Sequence, residues 1–241
     1  MYKIFFGILF LANSFLSAAE LRVITEDKPA LNYMKEGQLV GPSVEIVREI
    51  MKRLKLATTI EVLPWARAYD LLQREPNIAL FSTTRIEPRE KLFKWIGPIA
   101  QKDWIFLAKK NSALKIQNIE DAKKVSLIGT YQDDSKEMYL KSIGFKNLEA
   151  VIDDHLNPKK LLAGRIDLWI SALVDYKIAI ESEKLNPDDF RVVFNIKKQQ
   201  LYIAVSKQAD DALVKKWQKT FDEMVQDGTV AKIQSKFSYI K

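Results

Sequence analysis

The chain contains no cysteine and a single histidine, His155. Without cysteine no disulfide can staple the fold, so stability must come from buried apolar surface and hydrogen bonding. One histidine cannot build a histidine-based metal site, which removes the foundation for zinc chemistry. No nucleophile, triad or metal set is recognisable either, so no cofactor is expected and an enzyme is disfavoured. Basic residues exceed acidic ones to give a formal charge of +7, but they are spread along the whole chain. That balance weakly favours an anionic ligand. It gives nucleic acid no aromatic-basic cluster or module to bind.

What is present begins with "MYKIFFGILFLANSFLSAAE". Lys3, the apolar run Ile4 to Leu16 and the small residues Ser17 and Ala19 before Glu20 read as a secretory signal peptide over residues 1–19. The run falls short of the ~20 residues needed to cross a bilayer, and no later segment approaches that length. The expectation is a soluble exported protein in a periplasm, with no stable membrane anchor after cleavage. The missing cysteine also removes the attachment site of a bacterial lipoprotein.

Strand-like and helix-like segments then alternate. "LRVITED" is a strand candidate, and "SVEIVREIMKRL" puts Val44, Val47, Met51 and Leu54 on one helical face with Ser43 available as a cap. "TIEVLP", "ARAYDLLQRE" and "NIALFS" continue the order, which predicts an α/β unit with mostly parallel strands. Binding residues in such sheets gather at the carboxyl ends of strands, a rule that collects Asp27, Trp65, Ser82 and Thr84 on one rim.

A second unit of the same kind begins near Asn111. "DWIFLAKK" leads into it and "QQLYIAVSK" leads back. Both have an extended pattern, and neither carries the glycine or proline of a floppy linker. The terminal segment "DALVKKWQKTFDEMVQDGTVAKIQSKF" spaces Leu213, Trp217, Phe221 and Met224 as a helix, broken at Gly228 before a shorter one. These helices are expected to pack on the first unit. The division is therefore residues 20–109 for the first part of lobe 1, 110–198 for lobe 2, and 199–241 for the second crossing and the rest of lobe 1.

The stretch "ALFSTTRIEPREKLFKW" runs an apolar strand into three hydroxyls and two arginines, Arg85 and Arg89. An arginine at a strand end can offer a planar fork of parallel hydrogen bonds to one carboxylate, which lysine cannot. Glu87, Glu90 and Lys91 equally allow a charged turn facing solvent. The residues alone leave both readings open.

Taken in order, "LRVITEDKPALNY", "GQLVGPSVEIVREI", "FSTTRIEPREKLFKW", "KKVSLIGTYQD", "LLAGRIDLWI" and "FDEMVQDGTVAKIQSKF" resemble the periplasmic solute-binding proteins of family 3, which deliver polar amino acids to ABC transporters. The resemblance implies a type II periplasmic-binding fold: two α/β lobes, two hinge crossings, and closure around a small ligand. It implies that Arg89 grips the ligand's carboxylate, that Ser82 and Thr84 add strand-end hydrogen bonds, and that Trp65 packs on the ligand. Thr130, Tyr131 and Gln132 would complete the grip from lobe 2, at a strand-to-helix junction rich in N–H groups. Tyr33 and Arg67 are candidates for the same rim, and Arg85 either lines the cleft or braces its loop through Glu87. One departure stands out, because Ala172 occupies the position where many members carry an ammonium-binding aspartate. Asp27 or Asp175 could replace it. The expected function is capture of a small carboxylate-bearing solute, a polar amino acid or related metabolite, for an inner-membrane ABC permease. The alternatives are a ligand sensor for a membrane receptor and a dehydratase-like enzyme using Asp27, Glu26 or Asp175 as acid or base.

Overall fold

A computed structural model describes residues 21–57 and 59–237. The expected signal segment, residues 1–19, lies outside them. The strands are β1 (Arg22–Thr25), β2 (Tyr33–Lys35), β3 (Gln38–Val40), β4 (Ile60–Val62), β5 (Ile78–Thr84), β6 (Phe93–Lys109), β7 (Ile128–Tyr131), β8 (Leu148–Val151), β9 (Leu168–Ala172) and β10 (Phe190–Ser206). The helices are α1 (Pro42–Arg53), α2 (Trp65–Arg74), α3 (Ile119–Ala122), α4 (Ser135–Ser142), α5 (Leu156–Leu162), α6 (Leu173–Ser182), α7 (Asp211–Gln226) and α8 (Thr229–Ser235). None of the described helices is long and apolar enough to cross a membrane.

Eight strands form one continuous sheet in the order β4-β1-β5-β10-β6-β9-β7-β8, and β2 pairs with β3 as a separate hairpin. The flanks are parallel, β4-β1-β5 on one side and β9-β7-β8 on the other. Within each α/β unit the strands are parallel, as the alternation of elements predicts; the centre, where the crossing strands lie, is different. β6 and β10 run antiparallel to each other, β10 is antiparallel to β5, and β6 is antiparallel to β9. The reason is the chain's route: it leaves the first lobe along β6 and returns beside it along β10, so the two crossings must oppose each other. Each crossing is a 17-residue strand, paired from Phe190 with Lys109 to Ser206 with Phe93.

Strand alternation sends neighbouring residues to opposite faces. In the first lobe Val23, Phe81 and Val205 pack on one face with Val47, Trp217, Phe221 and Met224, while Ile24, Leu80 and Ala204 pack on the other with Trp65, Tyr69 and Leu72. The terminal helices therefore share a core with the start of the chain. In the second lobe Phe106, Ile128 and Ile170 face Leu140 and Phe145, and Leu107 and Trp169 face Leu161 and Ile180. A small seam of Ile86, Trp104 and Ala172 joins the two lobes.

Ser43 is not the cap of α1. The helix starts at Pro42, a residue suited to the first helical position because it has no N–H to leave unpaired, and Ser43 is buried in the first turn with no side-chain capping bond. Gly41 precedes it at φ +127°, and a Cβ there would lie 2.3 Å from the Leu31 carbonyl oxygen. Changing Gly41 to alanine is therefore expected to destabilise the protein by about 2 kcal/mol or more. A urea denaturation midpoint unchanged from wild type would refute this account of the α1 entry.

Candidate functional site

The site develops at the carboxyl end of β5. All seven of its residues are buried, and Ser82 takes a left-handed backbone at φ +58° while Thr83 Oγ1 donates back to the Leu80 carbonyl at 2.9 Å. After Thr84 the chain enters a single 3-10 turn, Glu87–Arg89, with Pro88 at its second position and a bond from Arg89 N–H to Ile86 O at 2.9 Å. This turn directs Arg85 and Arg89 to different surroundings. Arg85 forms a two-pronged pair with Glu90 at 2.8 and 2.5 Å, and its guanidinium lies over Trp95 and Tyr202. It braces the loop through Glu90, where the sequence had suggested Glu87.

Arg89 turns inward and is 1% exposed. Its guanidinium carbon lies 5.1 Å from the Trp65 ring centre and 4.7 Å from that of Tyr69, two rings stacked 5.3 Å apart on α2. One amine donates across the cleft to the Asp133 carbonyl at 3.1 Å and also meets Met138 Sδ at 3.3 Å, whereas the Nε–H has no hydrogen-bond partner among the described residues. Burial lowers its pKa from the ordinary value, against the opposing pull of Tyr69, Asp134 and Glu26. Trp65 is likewise buried, and its Nε1–H donates to the same Asp133 carbonyl at 3.2 Å. Two residues of the first lobe thus converge on one main-chain oxygen of the second.

Beside this junction lies a cavity of about 240 Å³ walled by both lobes. The first lobe contributes Glu26, Asp27 and Lys28 from the end of β1; the second contributes Tyr131, Lys136, Asp153, Asp154 and Asp175. Lys28 pairs with Glu26 at 3.1 Å, Lys136 with Asp134 at 2.6 Å, and Lys102 of β6 with Asp175 at 2.5 Å. Burial would raise the pKa of Asp134, but Lys136 and Lys28 outweigh it and hold the carboxyl below the usual range. Asp175 is shifted in the same direction, with Lys102, Lys28 and Lys136 overcoming burial. Burial lowers Lys102 to about 8, with Asp175 opposing the shift and Lys28 adding to it. Burial raises Asp154, whose Oδ1 accepts bonds from Asn157 at 2.7 Å and Trp169 at 3.2 Å. It also raises Tyr131 to about 12.

Of the residues expected at the site, Asp27 and Tyr131 line this cavity. Arg89 and Trp65 form the junction beside it. Ser82, Thr84 and Thr130 are buried at strand ends, the hydroxyls of Ser82 and Thr130 without partners among the described residues. Gln132 and Arg67 are exposed, and Tyr33 is half-buried on β2. Gly129 is demanded by packing, since a Cβ there would meet Ile166 at 2.4 Å and Asn157 at 2.5 Å. Ala172 lies in the apolar seam with Ile86 and Trp104. Asp167 accepts the N–H groups of Ser126 and Leu127, tying β9 to the entry of β7. Sequence reasoning missed Lys102, Lys136 and Asp134, because lysine and aspartate normally mark solvated surface. Lys28 was missed as well, although its place three residues beyond β1 could have signalled it.

The Asp134 pair gives a pH test. A carboxylate whose pKa is depressed in the folded state adds stability above the unfolded pKa of about 4, and that stability is lost as pH falls through the folded value. Asp134→Asn should cost about 3 kcal/mol at neutral pH by leaving the Lys136 ammonium unpaired. The gap from wild type should close as pH drops below about 4 in urea titrations; a gap independent of pH would contradict the pairing.

Comparison with known proteins agrees with this geometry. The profile of the bacterial extracellular solute-binding proteins, family 3, matches residues 21–239. The chain belongs to that family, and its fold is the two-lobed one of periplasmic binding proteins. Among solved structures, a histidine kinase sensor domain with similarity to periplasmic binding proteins aligns at TM-score 0.79 and 19% identity, over 91% of this chain and 96% of that one. An ancestral arginine-binding protein bound to glutamine aligns at 0.72 and 25% identity, over 91% and 97%. The arginine-, lysine-, histidine-binding protein ArtJ from Geobacillus stearothermophilus aligns at 0.75 and 18% identity, over 91% and 95%. No curated protein matches. The family and the fold are those of binding proteins rather than enzymes.

Proposed function

We propose that the protein captures a small carboxylate-bearing solute between its lobes, in the periplasm, and delivers it to an inner-membrane ABC permease. The observation that carries this reading is the junction at Asp133: Arg89 and Trp65 reach from the first lobe to one carbonyl of the second, beside a cavity of about 240 Å³ that both lobes line. Contacts of this kind form only when the lobes approach, so a solute held in the cavity would be enclosed as they form. Arg89 is the group assigned to the anion. It is a buried, charged fork with an Nε–H that has no partner among the described residues. The lobes in this proposal are residues 20–109 with 199–241, and residues 110–198.

Native mass spectrometry of gently purified protein should reveal a bound small acid, and small-angle scattering should register compaction when that acid is restored to stripped protein. Failure of every small carboxylate to bind folded protein would overturn the reading. A second reading, a sensor that docks on a membrane receptor once closed, is supported by the similarity to a histidine kinase sensor domain. Neighbouring permease and ATPase genes would favour transport; a neighbouring receptor kinase would favour sensing.

A further inference from the structure

Lys28 and Lys136 line the interlobe cavity, and Lys102, which lies outside that lining, pairs with a third lining residue, Asp175. Lys28, Lys102 and Lys136 come from the loop after β1, the crossing strand β6 and the first turn of α4, and the last two are 7% and 5% exposed. Each gives its ammonium to one carboxylate among the described residues: Glu26, Asp175 and Asp134 respectively. An ammonium has three donors, so each retains N–H groups that need acceptors, and the buried Arg89 Nε–H is a further one.

The inner carboxylates are engaged in turn. Asp175 is held by Lys102, Glu26 by Lys28, and Asp134 by Lys136 through both its side chain and its backbone N–H, while Asp154 accepts from Asn157 and Trp169. Asp27 and Asp153 have no lysine partner among the described residues, but both are exposed. The Ala172 side chain offers no acceptor and lies in an apolar seam. A solute ammonium that took the Asp175 carboxylate would have to displace Lys102 and strand it as a buried, unpaired cation. A second carboxylate or a hydroxyl on the solute would instead supply the acceptors that the lysines lack.

We propose that Lys102 is a specificity-determining residue: its ammonium occupies Asp175 in place of a solute amine, so the cavity selects di- and hydroxycarboxylates over α-amino acids of the same skeleton. The proposal rests on the reading that this cavity binds a small carboxylate. Calorimetric titration of the full chain with matched pairs tests it, succinate and malate against aspartate and 2-oxoglutarate against glutamate. Wild type is expected to bind at least one amine-free acid about ten-fold or more tighter than its amino counterpart. Lys102→Met should narrow that ratio by about ten-fold or invert it, because Asp175 becomes available to the amine. Lys102→Arg, which keeps the charge, should preserve the preference. If Lys102→Met fails to fold by circular dichroism, Asp175→Asn serves instead, and it should keep amino acids excluded. Tighter binding of the amino acids by wild type overturns this inference and leaves the carboxylate reading standing. An unchanged ratio in folded Lys102→Met removes Lys102 from the selection. Folded protein that binds neither class overturns the carboxylate reading and this inference with it.

Discussion

Replacing Arg89 with alanine is expected to weaken solute binding by about 2 to 5 kcal/mol, or roughly 30- to 5,000-fold in Kd. Two losses combine. The guanidinium is almost fully buried over the Trp65 and Tyr69 rings, so a carboxylate brought to it would meet a charge screened from water and would interact more strongly than at an exposed ion pair. The same side chain donates to the Asp133 carbonyl of the other lobe, and its removal also withdraws a bond that holds the lobes together. Lysine at position 89 would keep the charge but lose the planar fork, and should fall between wild type and alanine. Arg85→Ala should change Kd by no more than about 3-fold, since its partner is the half-exposed Glu90 and exposed pairs contribute little. Titration calorimetry with the solute identified by mass spectrometry decides the order. Wild-type affinity in folded Arg89→Ala would sink the assignment, and a larger loss at Arg85 would move the receptor one turn earlier.

The largest effect on stability is expected at Trp217. It is fully buried on α7, in the core that also contains Leu21, Val23, Val47 and Phe81 from the first part of the chain. Truncation to alanine removes a large aromatic surface and leaves a cavity that the surrounding sheet and helices can only partly fill, which should cost about 3 to 5 kcal/mol. The effect is expected on the whole first lobe, because α7 and α8 seal the face that α1 and β5 leave open. A shift below about 1 kcal/mol in urea denaturation would mean that the terminal helices are only loosely attached.

The features legible in the sequence were those with local causes. The α/β alternation followed from hydrophobic period, the crossings from extended β-branched runs without glycine or proline, and the break at Gly228 from its left-handed conformation at φ +79°. Trp217 and Phe221 announced an apolar helix face before their partners were known. Charge pattern offered Arg89 only as one of two arginines in a charged turn, and it was the family resemblance that chose it over Arg85. The 3-10 turn that sends it inward and Arg85 outward is held by bonds from Arg89 N–H to Ile86 O and from Glu90 N–H to Glu87 O and contains Pro88, and charge pattern carries no information about that direction.

The sequence by itself determined the two α/β units and the place of the candidate anion receptor shortly after a strand, because these rest on periodicity and short motifs, and it determined the family through an ordered set of motifs along the chain. Tertiary structure decided the antiparallel centre of the sheet, the burial of Ala172 in an interlobe seam, and above all the electrostatics of the cavity. Lys28, Lys102 and Lys136 are 108 residues apart at their extremes, and nothing in their local sequence separates them from solvated surface lysines. They become a set only when β1, β6 and α4 converge. Burial then makes each ammonium require a carboxylate partner, a requirement that water removes from the same residues on an open surface.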